Sequence, residues 1–208
     1  MKKKILILFD KKNKTPFFYF KKKLLRNRNY KIVYSFKKSS IKKFNIIFII
    51  GFTSKVKINN NKKYYTIHES PLPKGRGCSP IKNQILRNKK KITCCLIRLN
   101  NKIDNGNIIS KKTFKIKDTD FYDEIKEAQM KTTINLIKSF LKEYPNIIEK
   151  EQKGKTSYFK KLSEESDKIN INKPLITQLN KIRSTNYHEF DNFFIYKNQK
   201  FIIKIYKK

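Results

Sequence analysis

Residues 64–80 read Tyr-Tyr-Thr-Ile-His-Glu-Ser-Pro-Leu-Pro-Lys-Gly-Arg-Gly-Cys-Ser-Pro. Tyr64, Tyr65, Thr66 and Ile67 form a short β-favouring run that passes straight into a loop rich in proline and glycine, with a histidine, an acid and two bases. Strands that break this sharply end at sites, because ligands of open α/β sheets bind outside the carboxyl ends of the strands. His68 stands at that junction. At the far end of the loop, Ser79 is placed to cap a helix over Pro80–Leu86 with Pro80 as its first residue. The stretch therefore predicts strand, loop and helix, with the histidine at the turn.

Working outward, Ile5–Phe9 and Asn45–Ile50 carry unbroken apolar runs, as expected of strands buried on both faces of a parallel sheet. Tyr30–Phe36 alternates and reads as another strand, and residues 17 to 25 make a crowded helix. Residues 52 to 63 read as a turn and a short helix. Lys91–Leu99 is again β-like, residues 100 to 107 form a loop with Asp104-Asn105-Gly106-Asn107 at its tip, and Ile108, Ile109, Phe114 and Ile116 mark one or two short strands. From Thr119 to Tyr144 the apolar positions follow a helical period, with Asp118, Thr119 or Asp120 as cap and Pro145 as stop. Strands alternating with helices predict an α/β fold: a Rossmann-like, mostly parallel twisted sheet with helices on both faces. Beyond residue 145 the chain becomes polar and lysine-rich, with a helix at Leu175–Ile182 and a terminal hairpin about Asn198-Gln199. The expected organisation is a catalytic core over 1–145 and a small C-terminal extension over 146–208.

The 208 residues suit one domain with a real core. A net charge of +35 from 51 Lys+Arg against 16 Asp+Glu attracts polyanions. The lysines are spread evenly and accompany abundant asparagine and isoleucine, which reads as coding bias rather than a nucleic-acid footprint. Cys78, Cys94 and Cys95 have neither disulfide nor metal-ligand spacing, so no metal is expected. The apolar run at the N-terminus is too short for a signal peptide and no run reaches membrane-spanning length, so a cytoplasmic location is expected.

Asp104 lies 104 − 68 = 36 residues after His68. If the strands ending near Ile67 and Leu99 neighbour each other, both side chains project over one sheet edge, and a carboxylate beside an imidazole orients it for proton transfer. Taken alone, a strand-end histidine is more often structural, and an aspartate in a D-N-G turn is as readily a turn residue as a functional one. Arg76, between Gly75 and Gly77, offers a fork for phosphate or carboxylate.

His68-Glu69-Ser70-Pro71-Leu72-Pro73-Lys74-Gly75-Arg76-Gly77, followed by Asp104-Asn105-Gly106-Asn107-Ile108, resembles the N10-formyltetrahydrofolate-dependent formyltransferases. Their motif runs roughly H-x-S-x-L-P-x-x-x-G-x-x-P and then D-x-G-x-I. The tail, with its Ser-Tyr-Phe-Lys-Lys at residues 157–161 and its terminal hairpin, resembles the sugar N-formyltransferase branch. The resemblance implies a co-substrate, N10-formyltetrahydrofolate, and an acceptor that is the amino group of a nucleotide-linked amino sugar. It also implies direct amine attack assisted by His68 and Asp104. The family's asparagine is replaced by Thr66, whose hydroxyl offers a single donor toward the developing oxyanion. By the same resemblance the pterin lies against Gly51, Phe52 and the Asn100–Asp104 loop with Ile103. Ser70, Lys74, Arg76 and Tyr158 fall on the substrate side, Arg76 and Lys74 being equally readable as loop-holding residues. A cis bond is expected before Pro73, and the terminal hairpin is an edge for a homodimer.

Three other readings stand beside this one. Glycinamide ribonucleotide or methionyl-tRNA is the acceptor in the first, the chain is a basic nucleic-acid-binding protein in the second, and Thr66 marks a catalytically impaired homologue in the third.

Overall fold

Ile46–Ile50 (β3) is buried at every position, and its neighbour Lys3–Phe9 (β1) is buried from Ile5 to Phe9. Residues with no polar face can pair only in the middle of a sheet covered on both sides. The computed structural model, which describes residues 3–11, 13–22, 29–52, 56–59 and 61–207, places them there. The six-stranded sheet runs β2 (Tyr30–Ser35), β1, β3, β4 (Lys63–His68), β6 (Lys91–Arg98), β7 (Ile108–Lys115). The first four strands are parallel. On one face the helices Thr15–Lys22 (α1), Pro80–Leu86 (α2) and Tyr122–Glu143 (α3) close a core about Phe9, Phe20, Phe48, Tyr65 and Phe140. A 3-10 turn, Lys38–Lys43, covers Leu6, Leu8, Ile47 and Ile49 on the other through Ile41. Lys62 Nζ donates to the carbonyls of Ile41, Lys42 and Phe44 at 2.8, 3.0 and 2.8 Å, gathering the oxygens that the end of that turn leaves open.

The strand that follows α2 departs from the expectation. β6 runs antiparallel to β4, with His68 opposite Cys95 and Tyr65 opposite Arg98. A seven-residue α2 rises only about 10 Å, too little to carry the chain back to the far edge. β6 therefore enters where β4 leaves. Ile108 to Lys115 is one strand, β7, antiparallel to β6.

Smaller differences follow from local chemistry. Ser79 precedes α2 in a left-handed conformation (φ 47°) and its side chain caps nothing; its carbonyl instead accepts from Asn83 N and Nδ2. α3 starts after Phe121, whose N–H donates to Glu124, while Asp120 accepts from Lys117 N. Residues 56–59 and 61–62 hold no helix. Residues 53–55 and 60 of that expected segment and residues 23–25 of the first helix lie outside the described residues. The 3-10 turn Leu175–Gln178 leads into Leu179–Ser184 (α4), and the terminal hairpin pairs Asn192–Tyr196 (β9) with Gln199–Ile203 (β10) about Lys197 and Asn198, both at positive φ. Among the described residues no helix is long and apolar enough to cross a membrane.

The segment after Pro145 returns to the sheet. Lys150 bridges Ile108, and Tyr158–Phe159 (β8) pairs in parallel with Arg76–Gly77 (β5). Further on, the buried Asp167 receives Lys82 of α2 and Thr185 Oγ1, and Asn192 Nδ2 donates to its carbonyl at 3.1 Å.

Candidate active site

Paired residues of antiparallel strands share a face, so Thr66, His68, Cys95 and Ile97 point away from α3. The 69–79 loop folds over this end of the sheet. It is held by Gln84 Nε2 to Glu69 O (2.7 Å), Cys95 Sγ to Ser70 O (3.1 Å) and Lys111 Nζ to Leu72 O (3.1 Å), and the Leu72–Pro73 bond is cis as expected. From the far strand edge the loop after Arg98 turns back by about three residue rises, roughly 10 Å, to bring Asp104 to His68. Gly106 makes the return fit: a Cβ there would stand 1.5 Å from the carbonyl oxygen of Arg98. The two side chains meet, but by a loop folding back rather than by two strands ending at one edge.

His68 is buried. Its Nε2 lies 2.8 Å from Gly75 O and its Nδ1 lies 3.5 Å from Asp104 Oδ2. Both ring nitrogens face acceptors, an arrangement that a doubly protonated ring satisfies. Asp104, itself at φ 47°, accepts the Gly77 N–H at 2.9 Å through the same Oδ2. Thus Gly75 and Gly77 hold the two members of the pair.

Thr66 differs from expectation: its hydroxyl donates to Ile49 O of β3 at 2.7 Å, so its single proton is spent within the sheet. Arg76 is buried, with Nε and Nη2 donating to Gln152 Oε1 at 3.2 and 2.6 Å and Nη1 3.5 Å from Tyr158 Oη. It is held as a loop anchor, and Lys74 beside it is exposed. Ser70 is fully buried, and its Oγ has no partner among the described residues. Tyr158, Asn100 and Ile103 are exposed. Phe52 packs with Leu99 on the His68 side of the sheet, under the Lys38 ammonium, whereas Gly51 (φ 70°) turns against Pro16 and lines a cleft on the α3 side.

Two features escaped the sequence reading. The first is that cleft, small and lined by Gly51, Glu69, Lys126, Gln129 and Thr133 among others. Gln129 donates to the Glu69 carboxylate, and the buried Thr133 Oγ1 has no partner among the described residues. Burial pushes the Lys126 amine below the usual lysine range, against the pull of Glu69 and Glu189. Lys126, Gln129 and Thr133 at i, i+3 and i+7 form a polar stripe along one side of a helix, a signal visible in sequence. The second is Gln152, whose Nε2 donates to the carbonyls of Asp104 and Gly106 at 2.8 Å each. No periodicity announces it.

The family model for formyl transferases matches residues 7–137. The chain belongs to the formyl transferase family. Among curated relatives, a methionyl-tRNA formyltransferase of Fervidobacterium nodosum is 25% identical over 120 residues, 58% of this chain and 39% of the relative. The chain therefore spans about two fifths of the length of that relative. Among solved structures, a methionyl-tRNA formyltransferase from Clostridium thermocellum superposes with TM-score 0.77 at 22% identity, over 95% of this chain and 90% of that one. A sugar N-formyltransferase from a Shewanella species superposes with TM-score 0.75 at 18% identity, over 99% and 98%. At these identities both likenesses bear on the fold, and they agree on the mixed, mostly parallel sheet.

Proposed function

We propose that this formyl transferase family member moves the formyl group of N10-formyltetrahydrofolate to the amino group of a nucleotide-linked amino sugar. The observation that carries the reading is the approach of His68 Nδ1 to within 3.5 Å of Asp104 Oδ2 over the open edge of the sheet. In this reading the folate supplies the activated formyl carbon. The acceptor nitrogen forms the new C–N bond as the bond to N10 breaks, and the amine proton ends on N10, so no covalent enzyme intermediate is needed. His68 would offer a proton to the charge growing on the formyl oxygen from Nε2, which must exchange Gly75 O for that oxygen, while Asp104 keeps the ring oriented through Nδ1. Phe52 and the loop containing Asn100 and Ile103 flank the pair on one side and would meet the pterin. Gly51, beside Phe52, would border the pterin as well, and the partnerless Thr133 hydroxyl of the cleft on the α3 side suits a small polar group rather than the whole acceptor. Ser70, Lys74 and Tyr158 would border the acceptor's entry, with Arg76 acting as their anchor. Residues 1–145 would supply the pair and 146–208 the strap that closes over it, in a cytoplasmic homodimer joined through the terminal hairpin.

Methionyl-tRNA is the second acceptor, favoured by the curated relatives of this chain. Formyl transfer from N10-formyltetrahydrofolate to a panel of nucleotide-linked amino sugars, methionyl-tRNA and glycinamide ribonucleotide separates the two. The expected result is turnover on an amino sugar that falls roughly 10²–10⁴-fold in His68→Asn. Turnover on tRNA alone would move the acceptor, and an unimpaired His68→Asn would end the proposed role of the imidazole.

A further inference from the structure

Asp104 sits in the left-handed region, where a residue with a Cβ is held only by its surroundings. Beyond the Gly77 N–H, what holds it comes from outside the matched family segment. Gln152 Nε2 donates to the carbonyls of Asp104 and Gly106, and its Oε1 accepts two N–H groups of the buried Arg76. The orientation of that amide is forced: carbonyls can only accept and a guanidinium can only donate. Arg76 in turn is fixed between Gly75, whose carbonyl meets His68, and Gly77, whose N–H meets Asp104. The same strap continues the stitching. Ser157 Oγ accepts Gly75 N at 3.0 Å, Ser157 O accepts Arg76 N at 3.0 Å, and Phe159 O accepts Cys78 N at 3.4 Å.

We propose that Gln152 is a positioning residue for formyl transfer: it clamps the Asp104 turn to the Arg76 loop so that the carboxylate stays within reach of His68. The inference rests on the His68/Asp104 reading above. An amide is the group this task needs, because a carboxylate lacks the two donors and an ammonium lacks the acceptor.

Gln152→Glu divides the two halves of the clamp in the full-length protein. The carboxylate still receives Arg76, so the fold is kept, but it sets lone pairs against the carbonyls of Asp104 and Gly106. The expected result is a kcat lower by roughly 10–100-fold, the range for partners that orient a functional ligand, with KM for folate and acceptor changed by less than about threefold. In an Asp104→Asn background the same substitution should add less than about threefold, since residues acting through one route are not additive. The chain has only two histidines, His68 and His188, so imidazole ¹H–¹⁵N spectra give a readout free of turnover. Gln152→Glu should move the His68 ring signals in the direction Asp104→Asn moves them and leave those of His188 in place. If the Glu variant does not fold, Gln152→Met, similar in volume and without polar atoms, is measured in the same ways. Wild-type kcat, a full additive loss on Asp104→Asn, or an unmoved His68 signal in the folded variant would overturn the proposal. An active His68→Asn would instead remove the reading beneath it.

Discussion

Thr66 stands two residues before His68 on the same face, where a side-chain donor would be most useful to a developing oxyanion. Its proton already lies on Ile49 O. Thr66→Val should therefore leave kcat within about twofold, while the unmade hydrogen bond lowers stability by about 0.5–1.5 kcal/mol, read by denaturant titration. A fall in kcat of a hundredfold would restore Thr66 as the donor. That His68 and Asp104 come together was legible because residue type and spacing are one-dimensional facts. The state of Thr66 was not, because it depends on which carbonyl of the neighbouring strand comes within 2.7 Å. Arg76 was visible as a charged fork between glycines, yet its partner, the neutral Gln152, stands 76 residues away with nothing around it to mark the pairing.

At the scale of elements, unbroken apolar runs fixed β1 and β3 in advance because burial on both faces leaves no polar position. Direction is a different matter. The sequence of β6 reads equally well upward or downward, and the reversal against β4 follows from the shortness of α2. The two-residue strands β5 and β8 are below any pattern at all: Arg76-Gly77 pairs with Tyr158-Phe159 through backbone groups that every residue carries. The tail is pinned to α2 by the buried Asp167, which faces Lys82 and Thr185. Removing one member of a buried pair strands the other, so Asp167→Ala should cost about 3–5 kcal/mol and lower Tm steeply in a thermal melt. Loss of less than about 1 kcal/mol would mean that Lys82 finds water instead.

At the scale of the whole molecule, the hairpin β9–β10 leaves much of its apolar surface uncovered. Ile195, Tyr196, Phe201 and Ile202 are all exposed, and Phe194 and Phe201 stack at 5.1 Å. Large apolar side chains gathered on a two-stranded edge are a surface that seeks a partner. If copies pair through this hairpin as proposed, Phe201→Asp is expected to lower the mass in light scattering at micromolar protein to that of a monomer without loss of the folded circular-dichroism signal; an unchanged mass would remove the hairpin as a dimer contact. The parallel pairing of β5 with β8 bears on synthesis as well. Synthesis must pass Phe159 before Ser157 and Phe159 can reach Gly75 and Cys78, so a nascent chain stalled after α3 already contains His68 and Asp104 yet lacks the strap that pins the loop beside them. Completion of the site therefore waits on the synthesis of residues 152–159, well after both members of the pair have been made.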